Sequence, residues 1–447
     1  MAEHNLGVDD AAIAPTPRLS AIELHRFKGF REFTVSFGDL AVLIGPNNAG
    51  KSSVVGALAA ASHMLRVAMR FKAGTRKFRG ERVVWAHEFT TSQVGLDEDG
   101  LRWESRDEEV QIRVAFANGS RLIAVWPPAG EGSPYFFVQS PDRKSPREAS
   151  EVRALFPSLD VVPSLAPLER SEDLHDPKYV RETVRTRYAS RNFRNQLLLC
   201  HRGELPGCEW SEFKEFLHRW LPEIVLREPE LGDSGINVYY RDEMTQAWKE
   251  IVWAGDGFQV FLQNLFHLYR LREARIIVLD EPDVYLHADL QRRLIQVTAS
   301  SNAQLVLATH SAEIAAEVGT PAIVWMDRTR VRAVRAPTDD ALTQISGSIG
   351  SQFNLPRSLQ KLCSLIHGSS TRHGERDSIR QSPTAEPSYN QGSDHRVDNG
   401  RCSAPPRKWR FRPDLELANE NVDGIGPLHT SAVLPIGDTQ LHVTRFI

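Results

Sequence analysis

The sequence predicts an α/β fold in which parallel strands alternate with helices. Three short apolar runs, residues 41–44, 276–279 and 305–308, each lead directly into a polar turn. Runs of this length that are rich in Val, Ile and Leu are typical of parallel strands buried on both faces. The spacing between the second and third runs leaves room for a crossover helix over residues 288–301.

The turn after the first run contains a complete phosphate-binding loop. Residues 45–52 read Gly-Pro-Asn-Asn-Ala-Gly-Lys-Ser and match the pattern G-x-x-x-x-G-K-[ST]. The loop lies between a strand and a helix N-terminus, where backbone N–H groups and the helix dipole both favour an anion. We expect Lys51 to reach the outer phosphates of a nucleotide and the Ser52 hydroxyl to bind its Mg²⁺. The predicted nucleotide-binding residues of this segment are Gly45, Pro46, Asn47, Asn48, Ala49, Gly50, Lys51, Ser52 and Ser53.

Two acids, Asp280 and Glu281, end the second run. In a phosphate-loop hydrolase, a carboxylate at the end of a neighbouring strand helps to hold Mg²⁺, which is the role expected of Asp280. Glu281 is then placed to orient and deprotonate the water that attacks the γ-phosphate. Without the phosphate loop, the same pair would fit a solvated strand end equally well.

His310 follows the third run and is expected to contact the γ-phosphate and to sense its loss. A lone histidine is more often structural, so this role depends on the other two motifs. With Glu281, Lys51 and His310 as the catalytic residues, the sequence predicts Mg²⁺-dependent hydrolysis of ATP to ADP and phosphate. ATP and Mg²⁺ are the expected bound groups.

These motifs make the chain resemble the ABC-type ATPase heads of the SMC and RecF class. It is more closely similar to the AAA-like ATP-binding proteins of the OLD (overcoming lysogenization defect) family. The resemblance covers residues 18–360 and includes the opening strand and turn at 19–31 and an element at 191–197. It also includes an acid–proline–acid stretch at 281–289, in which Ala288 stands where proline is common.

The resemblance implies an ATP-dependent homodimer, because ABC heads present a signature helix to the nucleotide of a second copy. The matching element is residues 254–259, where Asp256 replaces the usual serine. A carboxylate repels a phosphate at close range unless another charge offsets it, so direct contact between Asp256 and ATP stays open. By the same resemblance, Arg26 is expected near the nucleotide.

The chain divides into five predicted segments. The first lobe should be β-rich, with a hairpin at Asn118-Gly119, and the middle of the chain should be a helical insertion. The segments are a flexible leader at 1–17, an N-terminal ATPase lobe with the phosphate loop at 18–140, an α-helical insertion at 141–235, a C-terminal ATPase lobe with the signature-like turn, the acids and the histidine at 236–360, and a low-complexity, largely disordered tail at 361–447.

The tail carries no nuclease motif. OLD nucleases continue at this point into a Toprim domain, whose metal chemistry needs a glutamate at a strand end and a later Asp-x-Asp. Glu375 follows no apolar strand, and no Asp-x-Asp comes after it. We therefore expect no nuclease activity from this chain and interpret the tail as a truncated or frame-shifted remnant.

Composition predicts a cytoplasmic protein with no membrane association. The net charge is −3, no apolar run approaches the roughly 20 residues of a membrane helix, and the N-terminus has no signal-peptide pattern. The four cysteines show no metal-site spacing, so reduced thiols are expected. They are Cys200, Cys208, Cys363 and Cys402.

Two basic runs, at 66–82 and 178–194, leave the partner open. Such cations can follow the backbone of double-stranded DNA without reading its sequence, or they can form a solvated face or contact a partner protein such as a nuclease. The first functional hypothesis is a DNA-linked ATPase in DNA repair or anti-phage defence. The alternative is a nucleotide-gated regulatory module that binds a protein and hardly hydrolyses ATP. A phosphate-loop kinase is a weaker third option.

Overall fold

The computed structural model describes residues 17–78, 82–232, 235–242, 244–245, 247–335, 430–436 and 439–445. The described residues up to 335 belong to one compact unit, and the last two ranges belong to a second. The described part of the second unit is an antiparallel hairpin, which the sequence did not predict. The rest of the predicted tail, and the predicted leader apart from residue 17, lie outside the described residues.

The secondary structure alternates between strands and helices. The strands, in chain order, are β1 (Leu19–Phe27), β2 (Phe30–Ser36), β3 (Leu40–Ile44), β4 (Gly74–Phe78), β5 (Arg82–Glu88), β6 (Val110–Phe116), β7 (Arg121–Trp126), β8 (Tyr135–Gln139), β9 (Leu159–Val162), β10 (Ile224–Leu226), β11 (Glu230–Gly232), β12 (Gly235–Asn237), β13 (Tyr239–Asp242), β14 (Lys249–Glu250), β15 (Ile276–Asp280), β16 (Gln304–Ala308), β17 (Ile323–Trp325), β18 (Val334–Arg335), β19 (Thr430–Ile436) and β20 (Thr439–Arg445). The α-helices are α1 (Lys51–Ala68), α2 (Ala149–Leu155), α3 (Pro177–Thr183), α4 (Phe193–His201), α5 (Trp210–Trp220), α6 (Asp256–Arg270), α7 (Ala288–Ala299) and α8 (Ala312–Val318).

A six-stranded sheet forms the centre of the first unit, in the order β18-β17-β3-β16-β15-β9. All its strands are parallel except β18. The three predicted apolar runs are β3, β15 and β16, and α7 is the predicted crossover helix, so the α/β prediction is confirmed. Because parallel strands end at the same edge of a sheet, the polar turns after these three strands lie close together.

A seven-stranded antiparallel sheet, in the order β2-β1-β6-β7-β8-β5-β4, confirms that the first part of the chain is rich in strands. The hairpin predicted at Asn118-Gly119 joins β6 to β7, with Ala115 opposite Arg121. Gly119 adopts a positive φ of 85°, which explains why the turn needs glycine.

Helix α1 is packed between the two sheets. Its alanine-rich surface, with Ala57, Ala60 and Ala61 buried, permits close approach on both sides. Along β3, Ala41 and Leu43 face the core that contains α1 and the antiparallel sheet. Val42 faces the opposite core, which contains α4, α5, α6 and α7. The two cores therefore cover both faces of the parallel sheet, as its apolar strands require.

The predicted helical insertion at 141–235 is wrong as a purely helical segment. Strand β9 lies within it and pairs in parallel with β15 at the edge of the central sheet. Residues 159–162 are a short, mainly apolar run between prolines, the same kind of signal that identified the other strands. Helix α5 in this segment is amphipathic and buries Phe213 and Leu217.

The prediction of reduced thiols is wrong for one pair of cysteines. Cys200 at the end of α4 forms a disulfide with Cys208, and their Cα atoms are 5.3 Å apart. Gly203 and Gly207 both have positive φ, so the chain reverses direction between the cysteines. The spacing of the cysteines in the sequence does not reveal this reversal. The other two cysteines lie outside the described residues.

Within the described part of the chain, none of the helices has the length and apolar character needed to cross a bilayer.

The close approach of Phe30 to the phosphate loop predicts a large cost for Gly50→Ala. A Cβ at Gly50 would lie 2.1 Å from Phe30 Cζ, and the residue has a φ of +93°. We expect the free energy of unfolding in urea to fall by about 2–5 kcal/mol, from left-handed strain and overpacking together. Gly95→Ala is the matched control, because Gly95 also has positive φ but no atom within 4 Å of the added Cβ. It should lose about 1 kcal/mol, and equal losses in the two variants would contradict the account.

Candidate nucleotide-binding site

The phosphate loop connects β3 to α1 through two residues in the left-handed region. Asn48 and Gly50 have φ of 65° and 93°. Gly50 precedes α1, and no side chain caps the helix there, which leaves its first N–H groups available to an anion. At the other end of the loop, a Cβ at Gly45 would lie 2.5 Å from the Met326 carbonyl oxygen. The loop therefore needs its glycines for both conformation and close packing.

Lys51 is the first residue of α1 and is only 4% exposed. Its ammonium Nζ donates to the carbonyl oxygens of Gly45 at 2.9 Å and Pro46 at 3.3 Å. Burial lowers the pKa of Lys51 to about 8, against the opposing charges of Glu281 and Asp283. A nearby phosphate would stabilise the charged form of Lys51. The stabilisation is larger for this buried ammonium than for a solvent-exposed lysine.

Asp280, the last residue of β15, has a buried oxygen that lacks a partner. Among the described residues, no hydrogen bond reaches its Oδ1. Burial, and then the charge of Glu281, raise the pKa of Asp280 to about 6. An unpaired carboxylate oxygen of this kind fits a hard cation.

The Ser52 hydroxyl is exposed at the second position of α1. Ser52 and Asp280 carry oxygen atoms of the kind that Mg²⁺ takes as ligands, and Mg²⁺ usually takes one or two protein ligands together with phosphates and water. Their binding of Mg²⁺ stays a prediction. The described residues contain no group of three or more His, Cys, Asp or Glu side chains that could hold a metal. A site made from Ser52, Asp280 and a nucleotide does not require one.

Glu281 turns out of the strand direction directly after Asp280. Its φ is 46°, and its N–H donates to the Ala308 carbonyl oxygen at 2.8 Å. The Glu281 Oε1 lies 3.8 Å from Nε2 of His310, whose Nδ1 lies 3.5 Å from Lys51 Nζ. The structure therefore brings together the three residues that the sequence predicts as catalytic.

A hydrogen-bond network that sequence analysis missed fixes the turn around His310. The Thr309 hydroxyl donates to Asp283 Oδ1 at 2.5 Å and accepts from the Ser311 N–H at 2.8 Å. The Ser311 hydroxyl donates to Gln291 Oε1 on α7 at 2.6 Å. The sequence does contain a signal for this network. Asp283 is the second acid of the acid–proline–acid stretch, and Thr309 directly precedes His310.

Arg26 pairs with a glutamate and not with the phosphate loop. It has a φ of 52° and forms an ion pair with Glu108 at 2.5 Å. Among the described residues, no hydrogen bond or ion pair joins it to residues 45–53. A contact between Arg26 and nucleotide stays a prediction.

The signature-like element lies at the start of α6. Asp256 is exposed, whereas Gln259 is buried and donates to the carbonyl oxygens of Val252 and Ala254. A Cβ at Gly257 would lie 2.8 Å from the Tyr285 carbonyl oxygen, so the element packs against the acidic stretch of its own chain. Gln259 thus holds the turn, and Asp256 faces outward.

Much of both basic runs is engaged within the protein. Arg194 is 1% exposed and forms ion pairs with Glu172 and Glu250, so it cannot be part of a DNA-binding surface. Other members also have intramolecular partners, which favours a structural role over a continuous phosphate-binding face. These pairs are Lys72 with Glu148, Arg76 with Glu88, Arg185 with Asp160, and Arg191 with Glu169.

Residues 40–316 match the family described as "AAA domain, putative AbiEii toxin, Type IV TA system". The match covers more than half of the 447 residues and includes the phosphate loop, the acids and His310. The chain belongs to this AAA family. The prediction of an AAA-type ATPase domain is thereby confirmed, while the closer relation to OLD proteins stays a prediction. A comparison with curated proteins found no match to this chain.

Several solved structures are similar to this AAA protein. An SMC head bound to the C-winged helix domain of ScpA has 15% identity and a TM-score of 0.45, covering 71% of this chain and 97% of that one. A Pyrococcus furiosus Smc head with an extended coiled coil, bound to the C-terminal domain of ScpA, has 13% identity and a TM-score of 0.44, covering 75% and 100%. The SMC head domain from Thermotoga maritima has 14% identity and a TM-score of 0.36, covering 69% and 94%.

The raised pKa of Asp280 predicts that Asp280→Asn stabilises the protein at neutral pH. The folded state disfavours the charged carboxylate, so the penalty is present above about pH 6 and is lost as pH falls towards the ordinary value near 4. At pH 7.5 we expect the variant's Tm to be higher by about 2–5 °C, with the difference shrinking between about pH 6 and pH 4. Asp289→Asn, at an exposed position on α7, should change the Tm little. A lower Tm for Asp280→Asn at pH 7.5 would contradict the assignment.

Proposed function

We propose that the protein binds ATP with Mg²⁺ at the carboxyl edge of the parallel sheet and hydrolyses it to ADP and phosphate. One observation carries the proposal. Lys51 is the first residue of α1, His310 and Glu281 follow β16 and β15, and His310 lies within 3.5 Å of the lysine and 3.8 Å of the glutamate. We assign these adjacent side chains the roles of phosphate-binding lysine, polar sensor and general base.

The proposed roles follow from charge and exposure. Lys51 and the loop N–H groups bind the outer phosphates, and Ser52 and Asp280 hold the metal. Mg²⁺, when bound, offsets the charge on the phosphates. Burial raises the pKa of Asp280 to about 6, and a bound Mg²⁺ would favour its charged form.

Glu281 is the proposed general base. Its carboxylate is partly exposed, so water can reach it, and it carries no metal in this proposal. Burial, and then the Lys51 ammonium, lower the pKa of His310, which keeps its ring neutral at physiological pH. A neutral imidazole can donate to one group and accept from another, which suits a sensor between base and phosphate.

For the cellular role we propose an ATP-driven switch related to OLD and RecF proteins that acts in DNA repair or anti-phage defence. The family description names the AbiEii toxin and a type IV toxin–antitoxin system, which agrees better with defence. No nuclease activity is part of this proposal. Duplex DNA and a nuclease protein are the candidate partners.

Glu281→Gln tests hydrolysis directly. We expect kcat to fall by about 10²–10⁴-fold because the base is lost, while calorimetry shows Mg·ATP binding within about threefold of wild type, because the phosphate contacts are kept. Lys51→Ala should lose both binding and turnover. Glu317→Gln, an exposed glutamate on α8, is the matched control and should behave as wild type.

Turnover is measured as phosphate release, with and without duplex DNA and at low and high salt. Contacts between the protein and the DNA phosphate backbone should weaken as salt rises. Equal, near-zero turnover in wild type and Glu281→Gln under all conditions would reject hydrolysis and support the regulatory alternative.

The exposed start of α6 supports a homodimer that closes on ATP. Trp253 is 80% exposed beside Asp256, and Tyr285 next to the acidic stretch is also exposed. We expect small-angle scattering of Glu281→Gln with Mg·ATP to show twice the monomer mass, and Trp253→Ala to abolish this increase because an aromatic anchor is lost. Trp248→Ala, at another exposed tryptophan, is the control. A monomeric mass for Glu281→Gln with saturating Mg·ATP would rule the dimer out.

A further inference from the structure

Three arginines from separate parts of the chain meet at edge strand β9. Asp160 in β9 accepts a hydrogen bond from Arg185 Nε at 2.8 Å, and Arg66 Nη1 lies 3.8 Å from the same oxygen. Arg270 is the last residue of α6 and lies close enough to Arg185 and Arg66 for their charges to disfavour its own. Because α1 and α6 cover opposite faces of the sheet, their arginines reach its edge from both sides. We call Arg66, Arg185 and Arg270 the β9 arginine cluster.

The β9 arginine cluster has more positive charge than the protein compensates. Among the described residues, Asp160 is the one carboxylate in an ion pair with Arg66 or Arg185, and none pairs with Arg270. Three guanidinium groups against one carboxylate leave two positive charges without a counter-charge. Burial and the neighbouring arginines lower the pKa of Arg270 to about 9, which still leaves it charged at neutral pH.

Arg270 also lacks hydrogen-bond partners. It is 8% exposed, its Nε is buried without an acceptor, and the described residues provide no hydrogen bond or ion pair to its side chain. His267, one turn earlier on α6, is fully buried with both ring nitrogens unpaired. Burial, then Arg270 and Arg185, lower the pKa of His267, so its ring is neutral and can still donate a hydrogen bond. Unpaired buried donors beside excess positive charge indicate an anion.

The exposure of the three arginines limits the size of this anion. The side chains of Arg66 and Arg185 are 37% and 33% exposed and form a rim, whereas Arg270 is recessed. A phosphodiester chain that runs over a surface would not reach a recessed guanidinium, but a terminal group would. A phosphate monoester or inorganic phosphate has a charge near −2 at pH 7 and several acceptor oxygens, which matches the two excess charges.

We propose that the β9 arginine cluster binds a single phosphate group, either as inorganic phosphate or as the terminal monoester of a larger ligand. Arg66 lies fifteen residues after Lys51 along α1, so about 22 Å of helix separates the two sites. The proposal does not depend on nucleotide binding at the phosphate loop.

The test uses the full chain carrying Lys51→Ala, which removes the lysine of the phosphate loop. Thermal unfolding is measured in inorganic phosphate and in sodium chloride of equal ionic strength. We expect phosphate to raise the Tm of this parent. Adding Arg270→Met should raise the Tm in chloride, because an unpaired buried charge is removed, and should weaken phosphate binding by at least about tenfold.

Two further variants separate binding from general stability. Arg272→Met changes an arginine two residues later that pairs with Glu212, and it should keep the phosphate response. Asp160→Asn removes the counter-charge, so it should lower the Tm in chloride and enlarge the rise caused by phosphate. A phosphate effect no larger than that of chloride in the Lys51→Ala parent would overturn the proposal, as would an unchanged phosphate response in Arg270→Met.

The source of the phosphate is resolved with a short single-stranded oligonucleotide bearing a 5′-phosphate or a 5′-hydroxyl. Tighter binding of the phosphorylated form, lost in Arg270→Met, identifies a terminal monoester. Binding of inorganic phosphate alone identifies the free anion. Equal binding of both oligonucleotides without a response to inorganic phosphate would contradict a site for one phosphate group.

Discussion

The burial of Lys51 is the constraint on which the rest of the site depends. Its ammonium donates to two carbonyl oxygens of its own loop and is attracted by the charges of Glu281 and Asp283, while burial lowers its pKa to about 8. A charge in such a place persists only if the surrounding backbone is rigid enough to keep its acceptors in position. The site is therefore prepared for a polyanion before one arrives.

That rigidity comes from the layers around α1. The parallel sheet holds β3, β16 and β15 side by side, so the loop, His310 and the acids share one edge. The antiparallel sheet contributes Phe30, which stacks on Phe33 at 4.3 Å and fills the space that Gly50 leaves open. Helix α1 begins at the phosphate loop and extends to strand β9 at the edge of the sheet, where Arg66 is part of the β9 arginine cluster. Helix α1 thus connects the phosphate loop to the phosphate site that we propose at β9.

The sequence predicted the parts of the site that depend on local chemistry. Residues 45–52, Asp280, Glu281 and His310 could be identified because a phosphate loop and its acids follow short apolar strands in a fixed pattern. The Thr309–Asp283 hydrogen bond could not be predicted from the sequence, because the contact between these residues depends on the register of β15 and β16. Strand β9 carries the same short apolar signal as the other strands, but only the tertiary fold shows that it pairs with β15 and completes the sheet. The Cys200–Cys208 disulfide depends on two positive-φ glycines.

The most direct test of the account is the proton balance of nucleotide binding. Calorimetry of Mg·ATP binding at pH 8 in two buffers of different ionisation enthalpy measures the protons taken up. If the phosphates approach the buried Lys51 and raise its pKa from about 8, binding should take up about half a proton at pH 8, and less at pH 7. Absence of binding, or binding with no proton uptake at pH 8, would contradict the central claim that this lysine receives the phosphates of ATP.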